Sequence, residues 1–517
     1  MSSPSQNVSR RISTAPSSSR PKQRWKRCRQ IPYRYITAIL LCISNFAFFL
    51  MFISFEDAFS HLHEIGENFK SNYSIECKFP KRTSKVEHVS KDFYSWDPKS
   101  LDQLAKANGY GVLLGSLPSG VLSDKFGGKY VVLVPVIVLS GMEVIIPFLI
   151  TGKDIEYYVF YVWQLLTGIG IAMMFCGTNS ILVNWTPPHE IGKLGSIAFC
   201  SLAFAVMFHY LFTDKFIVAT KMWNAPFLPY AIVGIAWTVC FVFFGFSFYH
   251  NKNQWMKQEE FDLLKKHLET PATFKRKTVP WLKLLTSLPV WAVTVAHVGH
   301  IWIWEAMVSN LDFYIRYVLY FDEYVGDALA AVAYMSMASL TVAVGYGADY
   351  LTNGGYVNVT TLRKVYTTFG AMAPAIFLLA AAYTGCHRKV AVAFFIMGMS
   401  SLCFYFGGTK INSLEIAPNF SGTIMGFMNM FDFIPALILP QVLEKIAPNQ
   451  SLPEKRIMFW IHFGILTCTT VVYNLFGSAD VQPWNYKDEE EELNVQGNEP
   501  STSEQPKPKT PQNKDKK

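Results

Sequence analysis

Twelve blocks of mostly apolar residues, set apart by short charged stretches, dominate this 517-residue sequence. A helix needs about 20 apolar residues to cross the hydrocarbon core of a bilayer. The blocks fall near 35–55, 104–122, 130–151, 155–180, 191–213, 227–249, 285–309, 325–348, 365–385, 390–412, 421–444 and 456–477. Only 16% of the residues are charged, against roughly 25% in an ordinary soluble protein. The charges lie almost entirely between the blocks. The pattern predicts an all-α membrane protein with twelve transmembrane helices in two six-helix halves, its outer surface covered by the lipid bilayer.

Charge sets the expected orientation. No acid precedes Glu56, yet Arg10, Arg11, Arg20, Lys22, Arg24, Lys26, Arg27, Arg29 and Arg34 do. The span that follows is too long for a signal-peptide core, and no small-residue cleavage site follows it. The positive-inside rule then places the basic tail 1–34 in the cytosol, and no binding module accompanies it that would make it a nucleic-acid site. Twelve spans return the C-terminus to the same side. The loop 250–284, with Lys252, Lys257, Lys265, Lys266, Lys275, Arg276, Lys277 and Lys283, also falls inside. The long first loop falls outside and holds the sequon Asn72-Tyr73-Ser74, an expected glycosylation site. The division expected is a tail 1–34, a first half 35–249, a cytosolic linker 250–284, a second half 285–477 and a disordered cytosolic tail 478–517. Within the linker, the spacing of Trp255, Met256, Phe261, Leu264 and Leu268 predicts an amphipathic surface helix. The nine cysteines show no paired spacing, so no metal site is expected.

Gly120-Val-Leu-Ser-Asp124-Lys-Phe-Gly127-Gly128-Lys129 lies between spans two and three. The glycines allow close helix approach and a tight turn, and Asp124 can accept hydrogen bonds or pair with a cation. The second half repeats the pattern as Gly345-Tyr-Gly-Ala-Asp349, followed by Arg363 and Lys364. These residues are expected to form a charged cluster that latches the cytoplasmic side.

Four further motifs occur in order: Trp185-Thr-Pro-Pro188-His-Glu190, Val279-Pro-Trp281 with Pro289-Val-Trp291, Leu414-Glu415-Ile-Ala-Pro418, and Gly422-Thr-Ile-Met-Gly426-Phe-Met-Asn429. With the glycine–aspartate loop, they make the chain resemble the anion/cation symporter family of the major facilitator superfamily. That family includes sialin, vesicular glutamate transporters and sodium–phosphate cotransporters. The resemblance runs from about Tyr33 to Leu475. It implies the major facilitator fold, transport by alternating access and an organic anion or phosphate as solute. It also implies arginines in spans one, four and seven for the anion, and an acid in span four for proton coupling. Here those positions hold Phe52, Gln164, His300 and Ile171, a loss that weakens anion binding.

Other ionisable residues enter the spans instead: Glu143, His209, His297, His300, Glu305 and Asp432. At 100° per residue His297, His300 and Trp304 share one face of span seven, with Glu305 on its flank. Charge inside a membrane is costly, so His300, Glu305, Asp432 and His297, with Gln164, Phe52 and Ile171, are the candidate cavity and coupling residues. Lys410, near the end of span ten, is expected to snorkel to the interface, and Trp302 and Trp304 to serve in packing.

The expectation is a secondary transporter of a small organic solute, not an enzyme. It needs no cofactor beyond a coupling ion, H+ or Na+, and works as a monomer. It would sit in the plasma membrane or an endolysosomal or vesicular membrane. A neutral or cationic solute, favoured by the gained acids, is the first alternative. A non-transporting sensor or scaffold is the second, disfavoured because a scaffold needs no gate.

Overall fold

The structure is a computed structural model that describes residues 31–62, 98–149, 156–222, 224–250, 255–268, 278–315, 319, 321–385, 387–447 and 452–486. The sequon at Asn72 lies outside them. Spans one to four are Tyr33–Leu62, Pro98–Phe126, Gly128–Leu149 and Glu156–Trp185. Span five is a run of short helices over 191–220, including a π-turn at His209–Thr213, and span six is Phe227–Phe244. Leu288–Phe313, Glu323–Asn353 and Val359–Tyr383 form spans seven to nine. Span ten covers 388–415 and is interrupted at Leu402 and Gly408. Span eleven covers 421–446 and is interrupted at 430–432, and span twelve is Leu452–Phe476.

Among the described residues nine helical runs are long and apolar enough to cross a membrane. Spans two, seven and eleven fall short of that measure because they carry the glycine–aspartate loop, the two histidines and the Asp432 break. In a bilayer, polar residues and broken helix are tolerated where protein covers them, and these spans are covered. Span two packs along span eleven, and span five along span eight; spans four and eleven also touch. These contacts join the halves. Within the halves, span four packs on two and three, and span nine on ten and twelve. Large apolar faces of spans three, six and eight, among them Phe148, Phe243 and Val332, stay exposed, as lipid-facing side chains do.

The expected linker helix is present as Gln258–Leu268. It buries Leu264 and turns Glu260 toward the start of span one, where the carboxylate accepts from the backbone N–H groups of Tyr33 (2.7 Å) and Arg34 (3.0 Å). An acid at a helix N-terminus satisfies donors that the helix leaves free. Arg34 also binds Glu190 at 2.5 Å, and Lys193 reaches the same carboxylate at 2.8 Å. Burial raises the Glu190 pKa, but the hydrogen bonds from these two cations outweigh it and hold the carboxyl below its usual range.

One boundary is corrected. The expected disordered tail begins too early, because residues 478–486 are docked at the end of the bundle that carries the motifs. The Gln482 N–H donates to the Ile416 carbonyl at 2.8 Å. Asn485 accepts from both the backbone and the side chain of Asn419, and Trp484 is buried against Phe420. An indole and an amide placed four and five residues past Asp480 supply the contact that a purely polar tail lacks.

Candidate transport site and cross-half clasps

The two glycine–aspartate motifs meet helix ends, not cations. Asp124 accepts from the backbone N–H groups of Gly422 (2.9 Å) and Thr423 (2.7 Å), and from the Thr423 hydroxyl at 2.7 Å. Asp349 accepts from the N–H groups of Gly192 (2.9 Å) and Lys193 (2.8 Å). Each aspartate therefore caps the first turn of a span in the opposite half, eleven in one case and five in the other. A helix N-terminus is a ready anion site.

The glycines make this approach possible. A Cβ on Gly120 would lie 2.6 Å from the Gly422 carbonyl oxygen, and one on Gly345 would lie 2.5 Å from that of Gly192. Gly127, at φ +88°, supplies the turn between spans two and three, and Gly128 packs directly on Gly177 of span four.

The expected pairing of these aspartates with the basic motif residues is corrected. The Lys129 ammonium binds the Val242 carbonyl at 2.8 Å. Lys364 binds that of Asn474 at 2.8 Å. Arg363 holds Glu415 through two nitrogens, at 2.9 and 2.6 Å, and the Gly407 carbonyl at 2.6 Å. Backbone N–H groups already satisfy the aspartates, so the cations serve neighbouring carbonyls and Glu415. The donating helix ends carry a mark in the sequence: Pro188-His-Glu-Ile-Gly192 and Pro418-Asn-Phe-Ser-Gly422 share the spacing P-x-x-x-G. In both, a 3-10 turn after the proline leads into the capped helix.

A buried polar cluster lies within the second half, on spans seven, ten and eleven. His297 of span seven joins two neighbouring spans. Its Nδ1 lies 2.7 Å from the Tyr405 hydroxyl of span ten, and its Nε2 lies 2.9 Å from Asp432 Oδ1 at the break in span eleven. The second contact is close but off the hydrogen-bond direction, since both atoms lack an aligned partner. The His300 ring lies flat on Tyr405, with centroids 3.5 Å apart, and its Nδ1 has no hydrogen-bond partner among the described residues.

Lys410 overturns an expectation. It does not snorkel: it is 1% exposed, immediately past the Gly408 break. Its ammonium lies 4.6 Å from the ring centre of Phe175 and 4.5 Å from that of Phe199, both in the first half, and 2.9 Å from Met425 Sδ. Among the described residues no carboxylate lies within ion-pair distance of it, although Asp432 is within electrostatic reach. The interruption in span ten turns the side chain inward before it can reach the end of the bundle. Asn429, one turn beyond Met425, is buried, and neither of its amide atoms has a partner among the described residues.

His297, His300 and Asp432 are thus brought together, and Lys410 joins them. Glu305 does not: it lies on the exposed flank of span seven. Phe52 and Ile171 pack as partly buried apolar residues against the main core, and Gln164 is buried. Glu143 is buried away from the cluster, between spans three and one, and accepts from the Ser54 hydroxyl at 2.7 Å. Trp302 donates to His462 of span twelve, and Trp304 meets Tyr334 of span eight edge-on, both packing roles.

Residues 35–440 match the Major Facilitator Superfamily. The chain belongs to that superfamily. It is 25% identical to human sialin over 457 residues, covering 88% of this chain and 91% of that one. To sodium-dependent phosphate transport protein 3 of Mus musculus it is 24% identical, with 87% and 95% covered. Among solved structures, the superfamily's proton:xylose symporter XylE bound to 6-bromo-6-deoxy-D-glucose matches with a TM-score of 0.61 at 12% identity, covering 87% of this chain and 97% of that one. At that identity the likeness is one of fold. The protein is a multi-pass membrane transporter of the major facilitator type, as the sequence motifs imply.

Proposed function

We propose that this transporter carries a small organic anion by alternating access, binding it at Lys410 between the halves. The buried Lys410 ammonium carries the reading. Burying a cation with only aromatic faces and a thioether around it costs several kcal/mol, and an anionic ligand offsets that cost directly. A cationic solute would meet this charge head-on, and a neutral one would give it no partner at ion-pair distance. Lys410 thereby supplies the fixed charge that Phe52, Gln164 and His300 do not. His300 Nδ1 and Asn429 offer further polar contacts to the same ligand. The relative named as a sodium-dependent phosphate transport protein points the same way.

In this reading the clasped end is cytosolic, where the positive-inside rule puts it, and the conformation is closed to the cytosol. The unit is a monomer in a plasma or endolysosomal membrane, and the clasps argue against a static scaffold.

Reconstituted vesicles loaded or challenged with labelled N-acetylneuraminate, glutamate or phosphate test the proposal. The parent protein should accumulate at least one of them, and Lys410→Met should abolish that uptake while leaving the protein folded. Uptake of a quaternary ammonium or an uncharged sugar in place of all three would sink the anion reading.

A further inference from the structure

Charge balance in the buried cluster constrains what can enter with the anion. Lys410 contributes one positive charge and Asp432 one negative charge, so with His297 neutral the cluster is balanced and an arriving anion would leave a net buried negative charge. One proton added to the Asp432–His297 pair makes that pair neutral overall. The Lys410 charge is then free for the anion, and the loaded cluster is balanced again. Unbalanced charge in a site of low polarity costs several kcal/mol, so the cluster favours both ligands together or neither.

Resting on the anion reading above, we infer that the Asp432–His297 pair is the proton-carrying site of this transporter, taking up one proton with each anion bound near Lys410. The geometry suits that role. Asp432 Oδ1 and His297 Nε2 lie 2.9 Å apart, and the far nitrogen of the same ring lies 2.7 Å from the Tyr405 hydroxyl. When His297 is neutral, the Tyr405 hydroxyl donates to Nδ1, and Nε2–H lies beside the carboxylate without pointing at it. When the ring gains a proton, Nδ1–H donates to the Tyr405 oxygen, and the hydroxyl hydrogen turns away. The pair spans the break in span eleven, so a proton held there ties span seven to a segment that lacks regular helix. Broken helices of this kind mark ion and substrate sites in secondary transporters.

The other ionisable groups around the pair have different roles. Lys410 and Tyr405 come from span ten, and Cys176 from span four is within reach of both charges. His300 on span seven lies against the Tyr405 ring. Glu305 stands on the exposed flank of span seven, and Asp124, on span two, is held by the Gly422 and Thr423 N–H groups. The carrier is thus a different group, on a different helix, from the span-four acid that the sequence resemblance would imply.

Calorimetry on the purified full-length protein tests this, with N-acetylneuraminate, glutamate and phosphate titrated in buffers of different ionisation enthalpy. For the anion that binds, the parent should take up about one proton per site, and its affinity should fall by up to tenfold per pH unit as pH rises. Asp432→Asn should show no proton uptake, and should bind more tightly than the parent at alkaline pH because the competing carboxylate charge is gone. His297→Gln should also lose the uptake. Anion binding by the parent without proton uptake overturns the inference while sparing the Lys410 reading. Full uptake in both Asp432→Asn and His297→Gln also overturns it, because the proton then sits outside the pair. If Asp432→Asn does not fold, the parent measurement and His297→Gln still decide. If none of the three anions binds the parent, both readings fall together.

Discussion

A glycine is required where two backbones meet more closely than a side chain allows, and Gly120 and Gly345 occupy such places. Ala at position 120 would put a methyl group 2.6 Å from the Gly422 carbonyl and 2.8 Å from the Thr423 Cα. Those atoms are backbone and cannot step aside. Gly120→Ala should therefore force span two off span eleven, at a cost of about 1–3 kcal/mol. Gly141 of span three meets nothing within 4 Å, so Gly141→Ala should be neutral or stabilising by about 0.5–1 kcal/mol, the helical gain over glycine. Thermal midpoints of the two variants in one detergent should move in opposite directions; equal shifts would show that the contact is not tight. The sequence made these glycines legible, as it did His297, His300 and Asp432, since polar residues inside apolar blocks stand out. It misplaced Lys410 and Glu305 for a physical reason. Distance from the end of a block says whether a long side chain can reach water, but only the turn at Gly408 decides which way it goes.

At the scale of elements, regular spans were readable and their interruptions were not. Hydropathy averages over a window, and it hides a break of three residues such as 430–432 when both sides are apolar. The same averaging hid the docking of 478–486, where a single tryptophan supplies most of the apolar contact. What fixes the interrupted span ten is Arg363. It is 2% exposed, and it joins span nine to Glu415 at the end of span ten and to the Gly407 carbonyl at the break. Arg363→Met would leave Glu415 partly buried without its partner and should cost about 3–5 kcal/mol. Adding Glu415→Leu should recover part of that loss, because an apolar pair in place of a buried ion pair is often near neutral. Unfolding of the single and double variants checks the claim. A double variant less stable than Arg363→Met alone would show that Glu415 has another role.

Across the whole molecule the two halves repeat one device. Each presents a glycine four residues before an aspartate, and each presents a P-x-x-x-G turn that leads into a helix. The aspartate of either half caps the helix of the other. In the sequence the aspartate, or accepting, side of this repeat stands out, and the cations that follow look like its partners, because opposite charges are the obvious match for an acid. Backbone donors leave no mark in a sequence except the glycines and prolines that shape them. The arrangement predicts two clasps that act separately. Each holds charge-assisted hydrogen bonds, for which about 1.5–3 kcal/mol is typical, equivalent to roughly a tenfold to hundredfold shift in a two-state population. Asp124→Ala and Asp349→Ala should each raise the fraction open at the clasped end, and the double variant should add the two free energies because the sites share no residue. Spin labels placed on that end of each half, in lipid nanodiscs, would report this as growth of a longer distance at the expense of a shorter one. Distances unchanged in both single variants would mean that the clasps follow closure without holding it, and that packing of spans two on eleven and five on eight sets the balance by itself.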